Sequence, residues 1–232
     1  MKALILASDG RRAMTECRGK PAIGYVLDAL EKNMVYEVVV CVGIEAERVK
    51  QYCMLEYSQF PYEFVEGDAG GKVGTALATL LSRDLMPIAS DVVIIHGDVA
   101  FEPKLLARVL EVQGSCIAVD WGAFSAGSYT VSVQRGRILS IAKDQFQEEA
   151  FGRSVGIYKL RGNDFETLCD DLETGMKNAW EKTQPIEFAL DRLILSGVIH
   201  ARPAKIGDAK WASVQDKRRR RHRGFMSRGT RL

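Results

Sequence analysis

The 232 residues, 47% of them apolar and 27% charged, suit one globular domain and exclude a disordered or fibrous chain. No apolar run approaches the ~18 residues of a membrane span, and the opening Met1-Lys2-Ala3-Leu4-Ile5-Leu6-Ala7-Ser8-Asp9 lacks the longer apolar stretch and cleavage site of a signal peptide, so a cytoplasmic location is expected. The formal charge of +2 hides an asymmetry, because residues 217–232 hold eight Lys/Arg and no acid, leaving 24 basic against 30 acidic residues in a body near −6. Such a body binds polyanions only where its basic residues are gathered, which gives weight to each one placed in a loop. Cys17, Cys41, Cys53, Cys116 and Cys169 form no CxxC pair and indicate neither a disulfide framework nor a zinc site.

The apolar run 2–7 predicts a buried strand that opens into a loop at Ser8-Asp9-Gly10-Arg11-Arg12. Helices are expected over 21–33 and 45–54, with a strand at 37–42 between them. Then follow a strand near 62–65, a helix near 75–82, a strand at 91–95, a helix near 103–112 and a strand at 115–119. Strands alternating with helices argue for a mostly parallel sheet covered on both faces. After Asp120 the rhythm changes: 129–133 and 138–142 flank Gln134-Arg135-Gly136-Arg137 as a hairpin, and 154–160 reads as another strand. Helices near 165–173 and 185–195 and an extended segment at 199–206 complete a smaller β-rich lobe. The expected organisation is one domain over 1–216, with halves 1–120 and 121–216, and a basic tail over 217–232.

Three stretches carry chemistry. In the first loop, Gly10 lets backbone N–H groups approach an anion, and Arg12 and Lys20 supply charges that fit phosphate oxygens. Asp98 follows the apolar strand Asp91-Val92-Val93-Ile94-Ile95 at its carboxyl edge, where ligands of open α/β sheets sit and a carboxylate can hold Mg2+. Small residues at Gly70-Gly71-Lys72-Val73-Gly74-Thr75 allow a flat base to lie against backbone, and Thr75 offers a hydroxyl or a helix cap. His96 reads as a packed strand-end residue. No GxxxxGK(S/T) occurs, which sets aside a phosphate-loop NTPase.

Leu6-Ala7-Ser8-Asp9-Gly10-Arg11-Arg12 with Gly19-Lys20-Pro21 resembles the opening of the nucleotidyltransferases with a GT-A-like Rossmann fold, with a loop one residue shorter and Asp9 in a glycine's place. His96-Gly97-Asp98-Val99-Ala100-Phe101 resembles their GD element, and Gly74-Thr75-Ala76 the base-contacting element of hexose-phosphate uridylyl- and guanylyltransferases. Gly136-Arg137-Ile138 through Lys143 and Gly152 through Lys159 are similar to short cytidylyltransferases that act on phosphocholine, aminoethylphosphonate and inositol phosphate. The resemblance implies an α/β, Rossmann-like sheet and a Mg2+-dependent transfer of a nucleotidyl unit, CTP favoured, to a phosphorylated small molecule. It implies Arg12 and Lys20 as catalytic cations at the triphosphate, Ala7, Ser8, Gly10, Gly74 and Thr75 at the nucleotide, and Asp98 on the metal. Lys143, Gly156 and Glu187 would face the acceptor.

Trp211-Ala212-Ser213-Val214-Gln215-Asp216 departs from the family's closing acidic pattern, because Ser213 and Gln215 stand at the acidic places and Asp216 comes one residue late. Either Asp216 or Gln215 supplies the second metal contact, or that contact is weakened. A catalytically impaired nucleotide-binding or sensing domain is therefore the alternative. The tail suits solvent, nucleic acid or anionic lipid, with no stable nucleic-acid complex expected, and a homo-oligomer is left open.

Overall fold

A computed structural model describes residues 1–67, 74–86, 89–121, 128–143 and 152–214. The strands are β1 (Lys2–Asp9), β2 (Glu16–Cys17), β3 (Lys20–Pro21), β4 (Val38–Ile44), β5 (Tyr62–Glu66), β6 (Val92–His96) and β7 (Val99–Phe101). They continue with β8 (Cys116–Asp120), β9 (Tyr129–Gln134), β10 (Arg137–Lys143), β11 (Gly152–Leu160), β12 (Arg202–Lys205) and β13 (Trp211–Ser213). The helices are α1 (Gly10–Ala13), α2 (Ala22–Lys32), α3 (Ala46–Glu56), α4 (Thr75–Leu81), α5 (Pro103–Glu111), α6 (Gly162–Gly175) and α7 (Ile186–Leu195). The α/β alternation and the later hairpin expected from the sequence are present, with boundaries moved by one to three residues.

The main sheet runs β10-β9-β11-β6-β1-β4-β5, with β8 pairing β11 and β12. The neighbours β6, β1, β4 and β5 are parallel, while β11 joins β6, β8 and β9 antiparallel. Along β1, Ala3, Ile5 and Ala7 pack with α2, α3 and α5 residues such as Ile23, Leu27, Val49 and Leu105. Leu4 and Leu6 point the other way, into a cluster with Phe165, Leu168, Ile186 and Leu190 of α6 and α7. Both faces are buried, which is why the strands read as continuous apolar runs.

One local expectation is corrected. The chain after Ala7 is not an open loop: β1 continues to Asp9, which pairs with Ile44, and Gly10–Ala13 then make a single helical turn. Gly10 is buried against the Ile44 carbonyl, so its missing side chain serves that packing. Residues 70–73, Gln215, Asp216 and the tail 217–232 lie outside the described residues.

Candidate functional site

Beyond the carboxyl ends of β1 and β6 lies a cavity of about 660 Å³. Chain order reverses between these strands, since β4 follows β1 on one side and β6 joins it on the other, and such a switch point leaves a crevice for ligands. Ser8, Arg12, Gly74, Thr75, Asp98, Lys143, Gly156 and Glu187 all line the cavity, so eight of the expected residues meet in one space. Ala7, Gly10 and Lys20 do not line it. The Lys20 ammonium donates instead to Asp28 at 2.5 Å and to the Tyr57 hydroxyl at 3.2 Å, and its side chain is about one-third exposed.

At one end, Asp9 sits between two guanidinium groups. Its Oδ1 accepts from Arg11 Nε at 3.1 Å and its Oδ2 lies 3.3 Å from Arg12 Nε. Asp9 thus orients Arg12 and competes with any incoming phosphate for it. Across β6, Asp98 lies in the turn that follows His96, and its carbonyl accepts the Val214 N–H at 3.0 Å. Its carboxylate has no hydrogen bond or ion pair among the described residues. β13 pairs antiparallel with β7 so that Ser213 stands opposite Val99, bringing β13 to the wall of the cavity that Asp98 lines.

Gly74 and Thr75 hold the opposite wall. A side chain at Gly74 would meet the backbone of Thr183 and Gln184, and its N–H donates to Lys182 O at 2.9 Å. Thr75 Oγ1 accepts the Ile186 N–H at 2.8 Å, while Ala76 N donates to Gln184 O at 3.1 Å. The expectation that Thr75 caps its own helix is corrected: Gly74 is the cap, and the Thr75 hydroxyl serves the first N–H of α7. That N–H has no partner inside its own helix.

Sequence reasoning missed Arg153. It is 8% exposed on β11, its guanidinium carbon lies 4.5 Å from the centre of the Trp211 ring, and it lines the same cavity as Lys143. Trp211 is fixed in turn by Nε1–H donation to Asp120 at 2.8 Å, so cation and ring form a braced plate. The signal was present as a lone charge in the otherwise small and apolar start of a strand buried along its whole length. His96 also reaches the cavity, beside Gly156 at φ +86°, where the pairing of β11 with β8 slips between Ser154 and Tyr158. A side chain at Gly156 would be strained by that φ and would crowd the His96 ring, 3.3 Å away.

Among the described residues no group of three His, Cys, Asp or Glu side chains stands ready to hold a metal. An unpaired Asp98 carboxylate in a cavity rimmed by cations does fit Mg2+, which commonly takes one or two protein carboxylates and completes its shell with phosphate oxygens and water.

No protein-family profile matches the chain. The bifunctional protein GlmU of Thermoanaerobacter pseudethanolicus is 38% identical over 80 residues, covering 34% of this chain and 16% of GlmU. The CMP-5'-(3-aminopropyl)phosphonate synthase of Streptomyces rubellomurinus is 24% identical over 216 residues, 88% of this chain and 33% of the synthase. The chain therefore spans a third or less of these curated relatives. Among solved structures, the inositol-1-phosphate CTP transferase from T. maritima shares a TM-score of 0.75 at 18% identity, over 91% of this chain and 88% of that one. UDP-glucose pyrophosphorylase complexed with UDP-glucose gives 0.67 at 16% identity, over 91% and 92%. The chain has the nucleotidyltransferase fold of these solved structures and is similar in sequence to the curated relatives.

Proposed function

We propose that the protein transfers a nucleotidyl unit from an NTP, with CTP favoured, to a phosphorylated small molecule. The observation that carries the reading is the gathering of Arg12, Asp98, Lys143 and Arg153 around one cavity at the switch point of the sheet. An acceptor phosphate is already anionic at neutral pH, so the reaction needs positioning and charge neutralisation more than a general base. Its oxygen attacks the α-phosphorus, the bond from that phosphorus to the bridging oxygen breaks, and pyrophosphate leaves with the electron pair.

In this reading Ser8 and Gly74 border the nucleotide and Arg12 draws charge from the triphosphate as Asp9 releases it. Lys143 and Arg153 hold the acceptor phosphate. Lys20 serves the triphosphate only by leaving Asp28, a swing open to a partly exposed four-carbon side chain. Asp98 would hold Mg2+, which when bound neutralises oxygens of the triphosphate. The names of the inositol-1-phosphate CTP transferase and the CMP-phosphonate synthase support CTP.

The test is a matrix of NTPs against phosphorylated sugars, polyols and amino alcohols with detection of pyrophosphate, repeated for Asp98→Asn. Wild type is expected to turn over, and the variant to lose about 10²-fold or more at an unchanged melting temperature. A fully active Asp98→Asn removes the metal assignment. Ser213, at the cavity wall where the resembling enzymes carry an acid, favours a second reading as a nucleotide sensor. Tight NTP binding without pyrophosphate release would select it.

A further inference from the structure

Asp9, Arg11 and Arg12 all line the cavity, and each carboxylate oxygen of Asp9 faces one of the two guanidinium groups, Oδ1 at 3.1 Å from Arg11 Nε and Oδ2 at 3.3 Å from Arg12 Nε. Among the described residues neither arginine pairs with another carboxylate. An aspartate before a helix commonly caps it, but the Asp9 side chain makes no bond to the helix N–H groups. Nor does the pairing hold the fold, because all three side chains are partly open to water, where ion pairs contribute little to stability. What remains is a carboxylate lying where an anionic ligand of two arginines would lie.

The backbone keeps that carboxylate in place. Asp9 is the last residue of β1, in register with Ile44, and Gly10 after it packs against the Ile44 carbonyl. An entering phosphate therefore displaces the side chain but not the residue, and Asp9 stays within reach as a tethered competitor at high effective concentration. The charge on the ligand decides the exchange. A triphosphate or a pyrophosphate brings several charged oxygens that match two planar guanidinium forks, enough to displace one carboxylate. Once the bond to the α-phosphorus is broken, pyrophosphate is no longer tied to the nucleotide and faces Asp9 alone.

Resting on the transferase reading, we infer that Arg11 joins Arg12 as a grip on the triphosphate, and that Asp9 is a built-in competitor that returns to both arginines and speeds the exit of pyrophosphate after transfer. Asp9 is then a positioning residue that acts through the two arginines. It lowers the affinity of the empty site for polyphosphates and so weakens inhibition by the released product.

The test measures binding first, on the full chain. Calorimetric titration with sodium pyrophosphate, without added metal, compares wild type with Asp9→Asn, Asp9→Ala and the double variant Asp9→Asn/Arg11→Met. Both single variants are expected to bind pyrophosphate about tenfold or more tighter than wild type, because a like charge has left the site, and the double variant to lose that gain. Either Asp9 variant suffices if the other folds poorly. In initial-rate assays the same single variants should be inhibited by pyrophosphate at about tenfold lower concentration, with the acceptor KM unchanged. Turnover with a pyrophosphate affinity that stays level or falls when Asp9 loses its charge overturns the inference and leaves the transferase standing, as does a gain that survives Arg11→Met. No pyrophosphate released from any NTP and acceptor pair overturns both.

Discussion

Replacing Gly74 by alanine tests how the cavity wall is held. Its φ of −66° suits any residue, so the conflict is one of space alone. The added methyl would meet the carbonyl carbon of Thr183 and the amide nitrogen and oxygen of Gln184, all backbone atoms with no flexible side chain to yield. The segment must move away, and with it go the bonds from Gly74 N to Lys182 O, Ala76 N to Gln184 O and Ile186 N to Thr75 Oγ1. At about 1 kcal/mol each, these bonds outweigh the roughly 0.4–1 kcal/mol that alanine contributes by restricting the unfolded chain. The net loss is about 2 kcal/mol, a fall in Tm of about 4–8 °C for a chain of this length. Thermal unfolding followed by circular dichroism measures it, with Thr75→Val, expected to cost about 1 kcal/mol through the uncapped α7, as the companion. A Gly74→Ala protein that melts within about 1 °C of wild type refutes the close approach.

Arg153→Met keeps a long side chain over Trp211 and removes the charge; the acceptor KM should rise about tenfold or more while the nucleotide KM holds, and an equal rise in both would move Arg153 away from the acceptor. Lys20→Met should lower kcat/KM for the nucleotide about tenfold; a loss of stability alone would leave the lysine as nothing more than the partner of Asp28. Burial pushes the thiols of Cys41, Cys53 and Cys169 up to about 12 and that of Cys116 to about 11. The native protein should therefore ignore an aromatic disulfide reagent at pH 8 at these four positions. Since the unfolded thiols ionise near pH 8.5 and the folded ones do not, the unfolded state binds fewer protons there, and stability should fall as pH rises through and above that value. Urea titrations at pH 7.5 and 9.5 check the sign.

The alternation of elements was legible because each central strand is buried on both faces, leaving runs such as Ala3 to Ala7 with no polar interruption. Asp98 was legible for a related reason, as the first carboxylate after such a run, at the edge where ligands collect. The direction of side chains was less so. Nothing in the spacing of Lys20 and Asp28 shows that the start of α2 brings them together, or that Thr75 caps a helix that begins 111 residues later. The lone charge of Arg153 marked the residue but not its direction, because a strand buried throughout offers no polar period to say which positions face a cavity. Ser213 comes to the cavity that Asp98 lines through a three-residue strand, β13, whose pairing with β7 depends on the rest of the fold being in place.

The position of β11 has a kinetic consequence. It is made from residues 152–160 and lies between β6 and β9, so the sheet stays divided until a strand from late in the chain enters its middle. Contacts so distant in sequence form only after a large loop has closed, which slows folding and leaves the edge of β6 exposed meanwhile. Fragments ending before residue 152 should gather into aggregates through that edge, and supplying the missing strand within the same chain should be what releases them.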